Sequence, residues 1–323
     1  MTRAEGGSAT PDAAAVHTPV LAQPVLRLVG EWLAAARRQA SPRRGPVWLV
    51  DGTLGSAGHT SALLDALPEL HVLGIDQDEE ILAFARARLA RHGERVRIER
   101  ARHSELAMLL ARIELEPCLF LYDLGASSLQ FDRPVRGFSF QADGPLDMRM
   151  DARRERTAAD VLNDSSEAEL ARIFRDEGEE PQAERVARAV VAARRNTPHA
   201  RTLPLADLVE HALGGRRGRL HPATRVFQAL RRIVNDEAGE LSAALACAER
   251  CLPDGGLLLV ISFHSLEDGA VKRFLSAGEA AQRWQVLTKK PLEPEHAEAR
   301  ANPRARSAKL RAALRRRVEG GPR

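Results

Sequence analysis

Asp51-Gly52-Thr53-Leu54-Gly55-Ser56-Ala57-Gly58-His59 follows the apolar run Val47-Trp48-Leu49-Val50 and precedes a helical stretch that begins at Thr60. A strand that ends in a carboxylate, turns through small residues and enters a helix lets a ligand approach the backbone closely, because no side chains obstruct the turn. The glycines at 52, 55 and 58 do not match the G-x-G-x-x-G dinucleotide fingerprint. A plain tight βα turn has the same local form, so the run needs partners elsewhere in the chain.

Further short apolar runs are His71-Val72-Leu73-Gly74-Ile75, Val96-Arg97-Ile98, Leu119-Phe120-Leu121-Tyr122 and Leu257-Leu258-Leu259-Val260-Ile261. Their length and β-branched content predict buried strands. Helical periodicity lies between the first four, as in Ile81 to Leu89, and strand–helix alternation predicts an α/β, doubly wound, mostly parallel sheet. Ligands of such a sheet bind beyond the carboxyl ends of its strands.

More than 130 residues separate the fourth and fifth runs, far more than one crossover helix needs. Ser166 and Glu169 form a capping box ahead of Leu170, Ile173 and Phe174. Pro181 can open a helix carrying Val186 and Val190, and Leu205, Leu208 and Val209 precede the stop Gly214-Gly215. The expected organisation is a lead-in over 1–16, a discontinuous sheet domain over 17–131 and 220–323, and an inserted helical domain over 132–219 that recognises substrate. Ala223 to Leu252 reads as one long helix, and Trp284 to Lys289 with Ser307 to Leu314 as a closing antiparallel pair, although the second could equally be helical.

Composition narrows the function without deciding it. The 323 residues carry a net charge of +4, compatible with a polyanionic partner, and Arg304, Arg306, Lys309, Arg311, Arg315, Arg316 and Arg317 crowd the C-terminal region. Cys118, Cys247 and Cys251 form no C-x-x-C pair and lack histidines at metal-ligand spacing, so neither a disulfide framework nor a metal site is expected. No apolar stretch approaches the roughly 18 residues of a membrane span, and the chain reads as cytoplasmic.

Two more strand-end carboxylates join Asp51. Asp76 closes the second strand, 25 residues on, where an acidic side chain can accept hydrogen bonds from both hydroxyls of a ribose. It could instead cap the next helix, for which Asp78 is better placed. Asp123 closes the fourth strand in Tyr122-Asp123-Leu124-Gly125-Ala126-Ser127-Ser128-Leu129-Gln130, where it could hold a cofactor, position an amine substrate, or do both. Arg136-Gly137-Phe138-Ser139-Phe140 and Asp143 to Asp151 have the turn-rich character of a site loop, and Phe138 and Phe140 can stack on a splayed base. His264, after the fifth strand, reads either as a proton acceptor or as a structural histidine.

The ordered set of runs resembles the bacterial 16S ribosomal RNA cytosine-N4 methyltransferases, the RsmH family, formerly MraW. The resemblance extends from His17-Thr18-Pro19-Val20-Leu21 through Asp51 to His59, Gly74-Ile75-Asp76, Asp123 to Asp151, His221-Pro222-Ala223-Thr224-Arg225-Val226-Phe227-Gln228-Ala229-Leu230 and Val260 to Asp268, ending at Asn302 to Arg311. It implies a class I, Rossmann-like methyltransferase fold with a helical insert. It also implies methylation of N4 of a P-site cytosine in 16S rRNA within the small ribosomal subunit, using S-adenosyl-L-methionine. The cofactor contacts it implies are Ala57, Gly58, His59, Asp76, His103, Asp123 and Gln130, with Asp123 as the candidate catalytic residue. Ser56 and Ala57 stand where the family usually has glycine, and His103 where it has an aromatic or apolar residue. Leu129 replaces a usual proline, and Gly178-Glu179-Glu180-Pro181-Gln182 departs from Gly-Glu-Glu-Arg-Phe. Two other readings are a non-catalytic RNA-binding assembly factor that keeps the pocket and a nicotinamide oxidoreductase. Retention of all three carboxylates argues against the first, and binding of NAD without affinity for adenosylmethionine would mark the second.

Overall fold

The computed structural model describes residues 19–38, 45–216, 218 and 221–316. The expected lead-in over 1–16 lies outside the described residues, as do His17, Thr18 and Arg317.

Seven strands form one sheet: β1 (Val47–Asp51), β2 (Leu70–Asp76), β3 (Val96–Arg100), β4 (Leu119–Asp123), β5 (Leu257–Ser262), β6 (Trp284–Val286) and β7 (Lys309–Arg315), in the spatial order β3-β2-β1-β4-β5-β7-β6. The first five are parallel, whereas β7 runs antiparallel to both β5 and β6. The tail therefore supplies the closing antiparallel pair, and the second segment is a strand because each alternate residue finds a packed face. β4 and β5 lie centrally and are apolar along nearly their whole length, as strands covered on both faces must be. β3 lies at the edge and tolerates Arg97, Glu99 and Arg100.

On the β1-to-β4 side of the chain come α1 (Ala22–Arg37), α2 (Gly58–Ala66), α3 (Glu79–Leu89), α4 (His103–Arg112) and the single turn α5 (Ser128–Phe131). One face of the sheet packs Leu49, Leu121 and Leu259 against α1 and α2 through Val25, Val29, Leu63 and Leu64. The other packs Val50, Phe120, Tyr122 and Leu258 against α4 through Leu106 and Leu110. Adjacent strand residues feed opposite clusters, which is the period of two expressed in three dimensions.

The long interval after β4 holds α6 (Ala158–Asp164), α7 (Glu167–Asp176), α8 (Ala183–Arg194), α9 (Thr202–Ala212) and α10 (Thr224–Asn235), followed by α11 (Glu237–Cys251), α12 (Ser265–Ala280) and α13 (His296–Ala301). Ser166 caps α7 by accepting from Glu169 N–H. A separate apolar cluster runs from Leu146 and Met148 through Leu170, Phe174, Val186 and Leu205 to Phe227, Leu230 and Val234. This cluster, the core of a helical lobe, begins at Leu146 and ends at Val234. It takes in α10, because the stripe Val226, Phe227, Leu230 and Val234 faces it.

The expected single helix over 223–252 is two. Asp236 adopts a left-handed conformation (φ 50°, ψ 45°), ending α10 and starting α11. Periodicity continues across the break on both sides, so only the backbone angle reveals it. The turn separates a helix of the lobe from a helix whose Leu241, Leu245 and Ala248 belong to the sheet core.

Candidate active site

The carboxyl ends of β1, β2, β4 and β5 open into a cavity of about 770 Å³ shared with the lobe. It falls in the upper part of the roughly 300–1,000 Å³ range of ligand sites. Asp51, Gly58, His59, Asp76, His103, Asp123 and Gln130 all line it, as do Phe138 and Phe140. Ala57 lies directly beneath, fully buried.

The first loop is held from three directions. Asp51 accepts from Thr60 Oγ1 at 2.6 Å and from Thr53 N–H at 3.2 Å, which ties the strand end to α2. Burial pushes the Asp51 carboxyl above its usual range, against the Thr60 bond and the nearby His59. Gly52 admits no Cβ, since one would lie 2.3 Å from the Tyr122 ring. Ala57 caps α2 at φ 62°, ψ 32°, a left-handed conformation that accounts for the glycine usual at this position.

Asp76 accepts from Gly55 N–H and from Asp78 N–H, both at 3.0 Å, so the second strand end and the first loop share one carboxylate. Burial, opposed by these two donors, pushes Asp76 up to about 6. Asp78 is the α3 cap, accepting from Glu80 N–H, and also receives Gln130 Nε2 at 2.8 Å and Arg136 at 2.7 Å. Gln130 accepts from Ser127 N–H at 2.9 Å, so both ends of its amide are engaged and it acts as a brace of the β4–α5 turn.

His103, at the start of α4, hydrogen-bonds the Gly52 carbonyl at 2.7 Å and meets Tyr122 edge-on with centroids 5.2 Å apart. Burial lowers its pKa, so the ring is held neutral. Asp123 receives no such closure. Its N–H donates to Thr53 Oγ1 at 2.5 Å, while Oδ1 has no hydrogen-bond partner among the described residues. Oδ2 stands 3.4 Å from His59 Nε2, an ion-pair distance without hydrogen-bond alignment.

His264 has a structural role, which is one of its two sequence readings. It caps α12 by accepting from Glu267 N–H, and its Nε2 lies 3.0 Å from Glu267 Oε1 and 3.1 Å from Arg232. Phe138 is buried and meets Phe131 edge-on, while Phe140 packs on Phe227 and His221 at 4.7 Å.

Sequence reasoning missed the polar wall that faces the strand ends from α10 and α11. Arg231 pairs with Glu237 at 2.7 Å across the Asp236 turn, and Glu240 accepts from Ser104 N–H and Oγ at 2.9 and 3.0 Å. The available signal was Arg231 four residues after Phe227, a cation on a buried stripe. Glu237, His264 and Glu267 offer ligand atoms within 4.8 Å of one another, but the Arg231 guanidinium already supplies the opposing charge.

The altered Gly178–Gln182 run forms the junction between lobe and sheet. Gly178 packs so closely that a Cβ would lie 2.4 Å from the Arg225 carbonyl, Glu177 holds Arg232 at 2.9 Å, and Glu179 accepts from Ser265 Oγ.

Residues 14–316 of the chain match the family model of the MraW methylase family. The chain belongs to the MraW methylase family. Among MraW relatives, ribosomal RNA small subunit methyltransferase H of a Methylobacterium species is 46% identical over 316 residues, covering 92% of this chain and 90% of that one. The protein of the same name from Sorangium cellulosum is 49% identical over 268 residues, covering 82% and 84%. Among solved structures, TrmN of Thermus thermophilus aligns with 94% of this MraW methylase and 50% of its own chain, at 15% identity and a TM-score of 0.40. The resemblance read from the motifs holds at the level of family, and the sheet is the doubly wound, mostly parallel α/β sheet expected from the sequence.

Proposed function

We propose that this methylase uses S-adenosyl-L-methionine to methylate the exocyclic N4 amine of a P-site cytosine in 16S rRNA within the small ribosomal subunit. The observation that carries the reading is Asp123: a carboxylate at the β4 end whose Oδ1 lacks a protein partner, in the same cavity as Asp76. An unpartnered buried oxygen fits a donor supplied by a ligand, and an amine is such a donor.

The residues present fit the cofactor. The small-residue loop from Gly52 to Gly58 leaves backbone within reach, Ala57 to His59 would hold the amino-acid end, and Asp76 would accept from the ribose. His103 offers a neutral ring face. Gln130 would contribute through the turn it braces, since its amide is already bonded on both sides. When bound, adenosylmethionine supplies an electrophilic methyl group on a sulfonium leaving group.

Cytosine N4 is a poor nucleophile because its lone pair is delocalised into the ring. A carboxylate accepting one N4 proton localises that pair and takes up the charge that develops as the N4–carbon bond forms. Asp123 is the acceptor in this reading, its unpartnered oxygen being the supporting observation. Holding the base in line is worth several kcal/mol by itself, and Phe138 and Phe140 supply apolar surfaces for a splayed base. His264 has both ring nitrogens engaged by Glu267, so Asp123 is also the acceptor for the proton N4 must finally lose. No helix among the described residues is long and apolar enough to cross a membrane, in keeping with a cytoplasmic rRNA substrate.

The test is mass spectrometry of rRNA nucleosides from cells with and without the protein. N4-methylated cytidine should be lost from the 16S molecule when the protein is removed; its unchanged presence sinks the assignment.

A further inference from the structure

We infer that Arg231, fixed by Glu237, reads the acceptor edge of the target base and thereby selects cytosine over uracil. The inference rests on the reading that the substrate is a cytosine presenting N4 to Asp123.

The wall opposite the strand ends contains Arg231 and Arg232 with Glu177, Glu237, Glu267 and His264. Arg231 Nη2 donates to Glu237 Oε2 at 2.9 Å, and its Nε lies 2.7 Å from Oε1 without hydrogen-bond alignment. Arg232 is taken up by Glu177 at 2.9 Å and His264 at 3.1 Å. Both Arg231 and Glu237 are about nine-tenths buried, each side chain 12% exposed, and both line the cavity. A carboxylate bonded to Nη2 and in ion-pair contact with Nε restrains the guanidinium on that side, and Nη1 is the terminal nitrogen it does not use. Structural pairing alone does not require the pair to stand at a ligand cavity.

Position along the sheet edge places this wall on the substrate side. Asp123 is in register with Ile261, and Leu124 N–H donates to the Ile261 carbonyl. Three residues beyond Ile261 comes His264, while Glu267 accepts from Phe263 N–H at 2.9 Å. The Arg231 wall therefore lies above β5, on the far side of Asp123 from Asp76 on β2. A base stacked among Phe138, Phe140 and Phe227 with N4 toward Asp123 has its N3 and O2 left to be read.

Those two atoms are acceptors in cytosine. In uracil N3 carries a hydrogen, and a guanidinium would then face a donor in a dry site, leaving both groups unsatisfied. The charge of the wall argues for a neutral base edge over a phosphate. Two arginines meet three glutamates, so these five side chains carry a formal excess of one negative charge.

The test compares small subunits reconstituted with cytidine or 3-deazacytidine at the target position, the latter holding C–H in place of N3. Removing Arg231 alone strands Glu237, so the variant is the double Arg231→Met/Glu237→Leu, with Arg231→Lys beside it. Wild type should show kcat/KM roughly 10- to 100-fold lower on the deaza substrate. The double variant should lose most of that discrimination, its ratio falling to within about threefold of unity, while calorimetry shows unchanged affinity for adenosylmethionine. Arg231→Lys should fall between. An undiminished ratio in the double variant overturns the assignment, whether its overall activity is normal or reduced, and so does a variant that loses cofactor affinity with the ratio intact. A wild-type enzyme that methylates neither substrate refutes the cytosine reading itself, a result distinct from an unchanged ratio.

Discussion

His59 Nε2 stands 3.4 Å from Asp123 Oδ2, joining the first residues of α2 to the end of β4 across the floor of the cavity. The pair leaves the other Asp123 oxygen, Oδ1, buried and without a hydrogen-bond partner among the described residues. His59 is thus placed to orient the carboxylate that the proposed chemistry uses.

Asp123→Asn keeps the shape and removes the charge. At saturating adenosylmethionine, turnover should fall roughly 100-fold or more, within the range for losing a positioned proton acceptor, while circular dichroism shows an intact fold. Near-normal turnover would assign the acceptor elsewhere.

His59 carries a pH signature. Burial pulls its pKa down, but Asp123, then Asp51 and Glu298, outweigh burial and leave it raised above 6.5. A raised histidine contributes stability that is fully present below its unfolded pKa and fades as pH rises through the folded one. Denaturation midpoints should therefore decline from pH 6 to 8 by more in the wild type than in His59→Gln; parallel curves for the two proteins contradict the pairing.

Asp76 predicts the opposite slope for ligand binding. Its carboxyl is pushed by burial to about 6, so below that pH it holds a proton and loses acceptor capacity toward a ribose. Calorimetric affinity for adenosylmethionine should weaken from pH 7 to 5 in the wild type and be weak and flat in Asp76→Asn. The same raised pKa means that folding stability falls, through this group, as pH rises from about 4 to 6.

The first loop gives two opposed substitutions. Ala57→Gly relieves a left-handed alanine, worth about 1–2 kcal/mol, and loses a buried methyl, worth about 0.8 kcal/mol; urea denaturation should show a gain of up to about 1 kcal/mol. Gly52→Ala drives a methyl to 2.3 Å from the Tyr122 ring and should cost at least about 2 kcal/mol. A stable Gly52→Ala protein with full cofactor affinity would contradict this packing.

Asn235 holds the Asp143–Asp151 loop to α10. Its Oδ1 accepts from Met150 N–H and its Nδ2 donates to the carbonyl of Met148, a buried residue at φ 62°. Asn235→Ala strands both backbone groups, and unsatisfied buried groups cost about 1–3 kcal/mol each. Loss of about 2–4 kcal/mol is expected, with KM for the RNA substrate rising as the loop loosens, and a loss under 1 kcal/mol would show that the loop is held by other contacts.

The sequence by itself determined the parallel sheet, because apolar runs and turn residues are local signals that the central strands β4 and β5 must carry to be buried on both faces. It also marked the strand-end carboxylates Asp51, Asp76 and Asp123, since a strand's last residue falls at the sheet edge wherever the sheet sits. Tertiary structure alone decided how those carboxylates are used. Asp76 accepts from Gly55 and Asp78, Gln130 is spent on Asp78 and Ser127, and Asp123 keeps an oxygen unpartnered among the described residues. It alone decided the break at Asp236, a single backbone rotation that leaves helical periodicity untouched on either side. That rotation sends α10 into the lobe and α11 into the sheet core, and it brings Arg231 and Glu237 together at the cavity. Hydrogen bonds between residues far apart in sequence depend on the fold being complete, which no local pattern encodes.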